Sequence, residues 1–374
     1  MKGGWNLMRK ILLLLCCFTW NQAGAAGFAN EDLTASGAGV ANAVVASADD
    51  VSAAMYNPAG LAWQGGLQIL LGNQSRYRTA GVDVNGSSSS ADVGLADVGL
   101  FALSWMPEGS DWGVSGAIVV PFSSRLDWND AFLTSPQQLG GMDMEMKRYS
   151  LDSIWRIHSG LAVSLGVDSY DSRVLLNQNA STFSGSGTGA IGLHAGMRWQ
   201  AQPFWMLGAF LRQGATLDIT AGNNVLSIQL PDELSLAVAH DVDDLLRVEL
   251  DIKHTRWSAM SDWNVTGSAL SLGLDLQDTT DVLLGATWYW RDNTQLRLGY
   301  AYEQAANVAD ALQPALLDLT GHRFSAGFGG MMSGMHLDVA YSWVTYTDTD
   351  VTGTWAGSYQ DAQQSFLFSL SKSF

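Results

Sequence analysis

Five cations, Arg198, Arg247, Lys253, Arg297 and Arg323, and one histidine, His194, fall in stretches where apolar and polar residues alternate. Each sits on the polar side of its stretch. A guanidinium or ammonium on such a face can hold a ligand carboxylate through charge-assisted hydrogen bonds. The competing reading is internal pairing, because Glu249 and Asp251 share a face with Arg247 and Lys253. Patterns for bond-making chemistry are missing. There is no G-x-S-x-G elbow, H-E-x-x-H pair or EF-hand loop. The histidines at 158, 194, 240, 254, 322 and 336 have no metal-ligand spacing. Gly37-x-Gly39 is no dinucleotide loop, since Asn42 takes the third glycine's place and no strand precedes it. The expectation is a protein that binds or passes a ligand, is not an enzyme, and uses no cofactor or metal.

Those cations must be positioned by strands. Leu296, Leu298, Tyr300 and Tyr302 alternate with Gln295, Arg297, Gly299 and Ala301. Leu337, Val339, Tyr341 and Trp343 form a second apolar face, and Val282, Leu284, Ala286, Trp288 and Trp290 a third. Leu161 to Val167 and Val248 to Ile252 repeat the pattern. Dyad repeats of about ten residues with one apolar face are what a transmembrane β-strand requires. A soluble β-sandwich alternates in the same way. Two details favour the membrane: the apolar faces end in aromatics, as interfacial girdles do, and the opposite faces mix small and charged residues, as a polar lumen does.

Runs fall near 67–78, 93–106, 112–122, 144–156, 160–172, 188–200, 204–229, 234–241, 245–258, 281–290, 294–303, 322–330, 336–346 and 364–374. They number fourteen if 204–229 is one interrupted strand; an even number suits a single-chain bacterial barrel. Arg291-Asp292-Asn293 reads as a periplasmic turn, and 79–91, 177–189, 304–320 and 347–362 as extracellular loops. In the last run Phe366, Phe368, Leu370 and Phe374 share a face that Lys372 interrupts, which a rim position would allow.

The compartment follows from the start of the chain. Lys2, Arg9 and Lys10 precede an apolar run from Ile11 to Phe18, and Ala23-Gly24-Ala25 is a small-x-small cleavage site. The run is far short of the ~20 residues a spanning helix needs, so residues 1–25 read as a signal peptide rather than an anchor. Cleavage leaves 349 residues with 16 basic and 36 acidic side chains and removes both cysteines, Cys16 and Cys17. No thiol chemistry or disulfide staple is then available. The acidic balance excludes a nucleic-acid binder that neutralises phosphates. Forty glycines and 15 tryptophans, with only 15% charged residues against about 25% in soluble chains, fit a sheet-rich membrane protein.

Residues 26–66 do not alternate. They are Ala/Gly-rich, with Asp49 or Asp50 able to cap a short helix through Met55 and Asn57-Pro58 stopping it. Such a segment ahead of a barrel reads as a small plug inside it, or as a plain periplasmic extension.

These residues resemble the outer-membrane long-chain fatty acid and hydrocarbon transporters, the FadL/OmpP1/TodX family. The resemblance rests on Ala26-Gly27-Phe28, Ser36-Gly37-Ala38-Gly39-Val40-Ala41, Asp49-Asp50 and Asn57-Pro58-Ala59-Gly60. Leu230-Pro231-Asp232, Thr255-Arg256-Trp257-Ser258 and Leu298-Gly299-Tyr300-Ala301-Tyr302 add to it in the barrel. Between Gly39 and Asp49 the family's second glycine is missing, with Ala43 and Val44 there instead. The resemblance implies an all-β fold: a transmembrane antiparallel β-barrel of about fourteen strands over 67–374, with an N-terminal hatch over 26–66. It implies capture of hydrophobic molecules from outside and sideways release into the membrane. Ala26, Gly27 and Phe28 would then lie near an internal pocket, and Asn57, Pro58 and Ala59 would shape the hatch. No carboxylate-binding position of the family matches by motif, so Arg198, Arg247, Lys253, Arg297 and Arg323 stand as candidates from their faces alone. The implied ligand is a long-chain fatty acid, or else an aromatic or alkane hydrocarbon. A general porin or adhesin is the remaining alternative. The implied setting is a monomer in the Gram-negative outer membrane, among its lipid and lipopolysaccharide, with the C-terminal strand read by the barrel assembly machinery.

Overall fold

The computed structural model describes residues 29–128, 139–178, 181–260, 262–267, 271–291, 294–308, 312–352 and 355–374. Fourteen strands form the wall: β1 (Gly66–Val84), β2 (Ala96–Met106), β3 (Trp112–Asp127), β4 (Leu139–His158), β5 (Leu161–Gln178), β6 (Ser181–Gln202), β7 (Trp205–Arg212), β8 (Glu233–Asp241), β9 (Leu246–Thr255), β10 (Thr279–Arg291), β11 (Thr294–Glu303), β12 (Gly321–Met332), β13 (Met335–Tyr346) and β14 (Gly357–Ser373). Each pairs antiparallel with its sequence neighbour. β14 returns to β1, from Gln68 opposite Ser373 to Asp83 opposite Ser358, so the sheet closes into a ring. Every strand reading was placed correctly except in extent. The run at 204–229 is β7 followed by a hairpin, Thr216–Ala221 with Asn224–Gln229, that is not one of the wall strands. Residues 79–84, 181–189 and 357–362, read as loop, lengthen β1, β6 and β14 instead. Their Ser and Gly content masked an alternation that pairing across the sheet completes.

Alternation turns the protein inside out. Leu165, Val167, Leu284, Leu298, Tyr341 and Phe366 are exposed on the outer face, whereas Ser104, Asp168, Arg297, Arg323 and Ser365 are buried on the inner one. In hydrocarbon the outer leucines are solvated, and away from the unpaired part of β2 and β3 the wall's backbone bonds are satisfied within the sheet. Trp105, Trp112, Trp155 and Trp288 gather near the short turns, and the rings of Tyr300, Phe324 and Trp343 lean against one another on adjacent strands toward the long connections. These are the two aromatic belts expected at the bilayer interfaces. Lys372 lies beside the closing seam with its Nζ 4.8 Å over the Phe374 ring. The lumen toward the long connections is filled by a packed apolar cluster that includes Met142, Met144 and Met146 from β4, Leu217 and Ile228 from the hairpin, and Trp257 and Trp263.

Candidate functional site

The site is built where residues 29–65 meet the wall. Small residues let this segment fold tightly. Thr34 caps the one-turn helix α1 (Ala35–Ala38), its Oγ1 accepting the Gly37 N–H at 3.0 Å. The chain then takes left-handed conformations at Ala41 and Asn42, with φ of 51° and 64°. A second one-turn helix, α2 (Ala53–Tyr56), stops at extended Asn57, as the following proline dictates. Its N-cap is Ser52, and Asp50 serves the turn ahead by accepting the Ser52 N–H at 2.7 Å. Burial, followed by the nearby Asp338 carboxylate, raises the Asp50 carboxyl above its ordinary pKa. Burial likewise raises the Tyr56 phenol. Its hydroxyl accepts the Thr34 N–H at 3.1 Å and donates to Asn42 Oδ1 at 3.0 Å, tying the two halves of the segment together.

The segment is bonded to strands on all sides of the ring. Ala41 N–H donates to Ser325 Oγ on β12, Asn57 Nδ2 to the Met197 carbonyl on β6, and Asn30 Nδ2 to Gln74 on β1. Wall glycines admit it. A Cβ on Gly299 would lie 2.2 Å from Ala41 N, and one on Gly208 would lie 2.4 Å from the Val45 carbonyl oxygen. A mid-strand glycine on an inner face marks close backbone approach.

The structure gives each candidate cation a partner. Arg198 Nε donates to the Ala46 carbonyl at 2.8 Å. Arg247 bonds Asp241 at 2.6 Å and Asp49 at 3.1 Å. Lys253 lies 2.6 Å from Glu31 and 3.5 Å from Asp281. Arg297 bonds Asp338 at 2.7 Å. Arg323 bonds Asp32 at 2.7 Å and Glu303 at 2.5 Å. Lys253 and Arg323 come together at a small cavity with Glu31 and Glu303, Arg198 and Arg247 flank residues 46–49, and Arg297 stands apart. Pairing with Glu249 and Asp251 does not occur; those carboxylates accept backbone N–H groups of residues 44–46. His194 lies between Asp152, at 2.5 Å from Nε2, and Asp168, at 3.1 Å from Nδ1. Asn57 pins the segment, its Nδ2 also donating to the Val45 carbonyl at 2.7 Å while its Oδ1 accepts the Ala59 N–H at 3.3 Å. Pro58 and Ala59 are buried in the 3-10 turn that Asn57 caps. Ala26, Gly27 and Phe28 lie outside the described residues.

A second cavity, about 70 Å³, lies between the segment and the wall. Leu33, Met55, Phe122 and Phe210 supply apolar lining, with Arg148 and Lys253 among its charged groups. Arg148 was missed in the sequence, although it alternates in phase with Met144 and Met146. It is 3% exposed, its Nη2 reaches the Met55 carbonyl at 3.4 Å, and its Nε pairs with Asp168 Oδ1 at 3.8 Å, too far for a hydrogen bond.

Beside this cavity the wall is unzipped. β2 and β3 pair only from Phe101 opposite Ile118 to Trp105 opposite Val114. Beyond that, Pro121 sits in a register shift between Val119 and Phe122. The freed carbonyls of β3 find other donors. Pro121 O takes the Asn30 N–H at 2.7 Å, Val120 O takes Asn30 Nδ2 at 3.1 Å, and Ser123 O takes Arg76 Nη2 at 2.8 Å. Ala29 bridges Phe122 in place of β2.

A closed wall, apolar outside and charged within, with its lumen occupied by the chain's own N-terminal segment, defines an outer-membrane channel protein of the β-barrel class. The family described as outer membrane protein transport protein (OMPP1/FadL/TodX) matches residues 16–203 and 200–371, and the chain belongs to it. Outer membrane protein P1 of Haemophilus influenzae is 23% identical over 363 residues, covering 76% of this chain and 78% of that protein. A Pseudomonas aeruginosa FadL homologue has the same fold, with a TM-score of 0.80 at 16% identity over 93% of this chain and 100% of that one. The P. putida toluene transporter TodX follows with a TM-score of 0.70 at 16% identity, over 95% and 99%. Members of the family are transport channels for hydrophobic molecules across the outer membrane, and this chain is an outer-membrane protein.

Proposed function

We propose that this chain takes up long-chain fatty acids. Residues 26–66 act as a hatch, and ligand is released sideways through the β2–β3 seam. The observation that carries the choice of ligand is Arg148: a buried arginine whose Nε lies 3.8 Å from Asp168 Oδ1 but makes no hydrogen bond, at a cavity whose apolar lining includes Leu33, Met55, Phe122 and Phe210 and whose charged lining includes Glu31, Glu233 and Lys253. An unmet buried donor beside apolar surface suits a carboxylate with an acyl tail better than it suits a hydrocarbon. Lys253 lines the same cavity and is the second contact we assign, reached by exchanging Glu31 for the ligand. Arg198, Arg247, Arg297 and Arg323 would each have to give up a hydrogen-bonded partner within the chain to serve, whereas the Arg148 Nε would exchange only its longer 3.8 Å contact with Asp168.

A cavity of about 70 Å³ holds only two or so waters' worth of liquid volume at ~30 Å³ each. An acyl chain therefore requires the arm at Ala29–Leu33 to move, and Ala26-Gly27-Phe28, directly upstream, would move with it. That arm caps the seam, so ligand entry and wall opening are coupled through the same bonds. The physics favours this route because an apolar molecule gains nothing from a water-filled pore. Barrel assembly through the C-terminal strand and contact with lipopolysaccharide belong to the same proposal, and no catalytic role does.

Oleate uptake in a Gram-negative host lacking its own fatty acid transporter tests the reading, at matched outer-membrane levels. Uptake restored by wild type and reduced in Arg148→Met supports it. Uptake of toluene but not oleate would move the assignment to hydrocarbons.

A further inference from the structure

Glu249 and Asp251 lie two residues apart on the inner face of β9 and are 4% and 1% exposed. Among the described residues, no cation is bonded to either carboxylate. Flanking Arg247 is committed to Asp241 and Asp49, and Lys253 to Glu31 and Asp281. What the two acids hold is main chain. Asp251 Oδ2 accepts the N–H groups of Val44 and Val45, each at 3.0 Å, and Glu249 Oε1 accepts that of Ala46 at 2.6 Å. The turn is closed on itself by Ala48 N–H on the Val44 carbonyl at 2.9 Å. Its remaining carbonyls are taken from the far side, Ala46 O by Arg198 and Val45 O by Asn57. The other oxygens, Glu249 Oε2 and Asp251 Oδ1, are buried without a hydrogen-bond partner.

Two adjacent buried acids with no cation are costly. The barrel does not need them to close, because its strands are joined through the backbone. Three successive N–H groups converging on carboxylates form the kind of nest in which a turn binds an anion. With the turn seated, the acids are partly satisfied. With the turn displaced, they face the lumen with no donor, so displacement requires water or a ligand group to replace all three bonds together. Seating is therefore close to all-or-none.

We propose that Glu249 and Asp251 are positioning residues of the gate: a carboxylate latch that seats the Val44–Ala46 turn and keeps the barrel shut to ions until the hatch is displaced. The proposal rests on the hatch reading above and adds what holds the hatch closed. It differs from a merely structural role in requiring acceptors at these positions rather than any side chains of the right size.

The test uses the full barrel in planar bilayers. Glu249→Met with Asp251→Val keeps the bulk and removes every acceptor. Its ion-conducting events should be at least about tenfold more frequent than those of wild type, the factor expected from losing three buried hydrogen bonds. Glu249→Gln with Asp251→Asn restores carbonyl acceptors and should bring the leak back toward wild type. A folded Met/Val variant, recognised by heat-modifiable migration, that stays as tight as wild type overturns the latch. If that variant does not insert, amide exchange of the wild-type chain decides. The Val44, Val45 and Ala46 amides should exchange at least about tenfold more slowly than that of exposed Asp49, and equal rates would reject the proposal. Oleate uptake run in parallel separates the two ideas: loss of uptake in wild type counts against the ligand, whereas leak and exchange judge the latch.

Discussion

Gly299→Ala is the smallest change that should unseat the hatch without touching a side chain. The added Cβ lies 2.2 Å from Ala41 N, 2.2 Å from the Val40 carbonyl carbon and 2.5 Å from Ser325 Oγ. Two of these are backbone atoms, so no flexible side chain can yield. Ordinary contact needs a retreat of about 1.2 Å, which costs dispersion contacts along the interface. The same retreat stretches the 2.9 Å bond from Ala41 N–H to Ser325 Oγ beyond hydrogen-bond range. Overpacking of this kind costs about 1–3 kcal/mol. An orphaned buried N–H costs about 1–3 kcal/mol more. The ladder between β10, β11 and β12 is backbone to backbone and stays intact. The variant should therefore assemble as a folded barrel that leaks ions in planar bilayers. Gly99→Ala, with nothing within 4 Å, should behave as wild type. A folded Gly299→Ala barrel as silent as wild type would refute direct packing of the segment on this wall.

Other perturbations have equally definite signs. Arg323→Met strands Asp32 and Glu303 inside the barrel and should lower the unfolding free energy by about 3–5 kcal/mol. Arg256→Ala, at a surface pair with Asp232, should cost no more than about 1 kcal/mol, and denaturant titration compares the two. Tyr56→Phe removes the acceptor of Thr34 N–H and the donor to Asn42, and should lower stability by about 1–2 kcal/mol in the same titration. Burial and Asp338 raise the folded pKa of Asp50. Its protonation therefore stabilises the fold below the unfolded value of about 3.9, and that gain is lost as pH rises through the raised folded value. Asp50→Asn, neutral throughout, should melt above wild type at pH 7, and the difference should shrink toward pH 4.

The barrel was legible because a two-residue period fixes the face of every side chain, and Leu161–Val167 or Leu296–Tyr302 reads the same in the chain as in the wall. The charges were legible only by face. Arg247 and Lys253 neighbour Glu249 and Asp251 along β9, yet their partners come from residues 31 and 49 in the segment, from Asp241 on β8 and from Asp281 on β10. Such pairings depend on register between distant strands and on where the segment docks, which no local pattern encodes. Arg148 was overlooked because its strand reads chiefly as a methionine stripe. Gly208, Gly285, Gly299 and Gly327 on inner faces do record the docking footprint, and reading them as approach sites would have located the segment. The hairpin at 216–229 was merged with β7 because both alternate, and the turn at Gln213–Ala215 has only one glycine to mark it.

Photoaffinity labelling tests the central claim most directly. A palmitate analogue carrying a diazirine on its tail would be applied to outer membranes containing the wild-type chain, and the labelled residues identified by mass spectrometry. Labelling at Leu33, Met55, Phe122 or Phe210, displaced by excess oleate and weakened in Arg148→Met, is the predicted result. Labelling confined to lipid-facing residues such as Leu71, Leu151 and Leu165, unaffected by competitor, would contradict an internal fatty acid site.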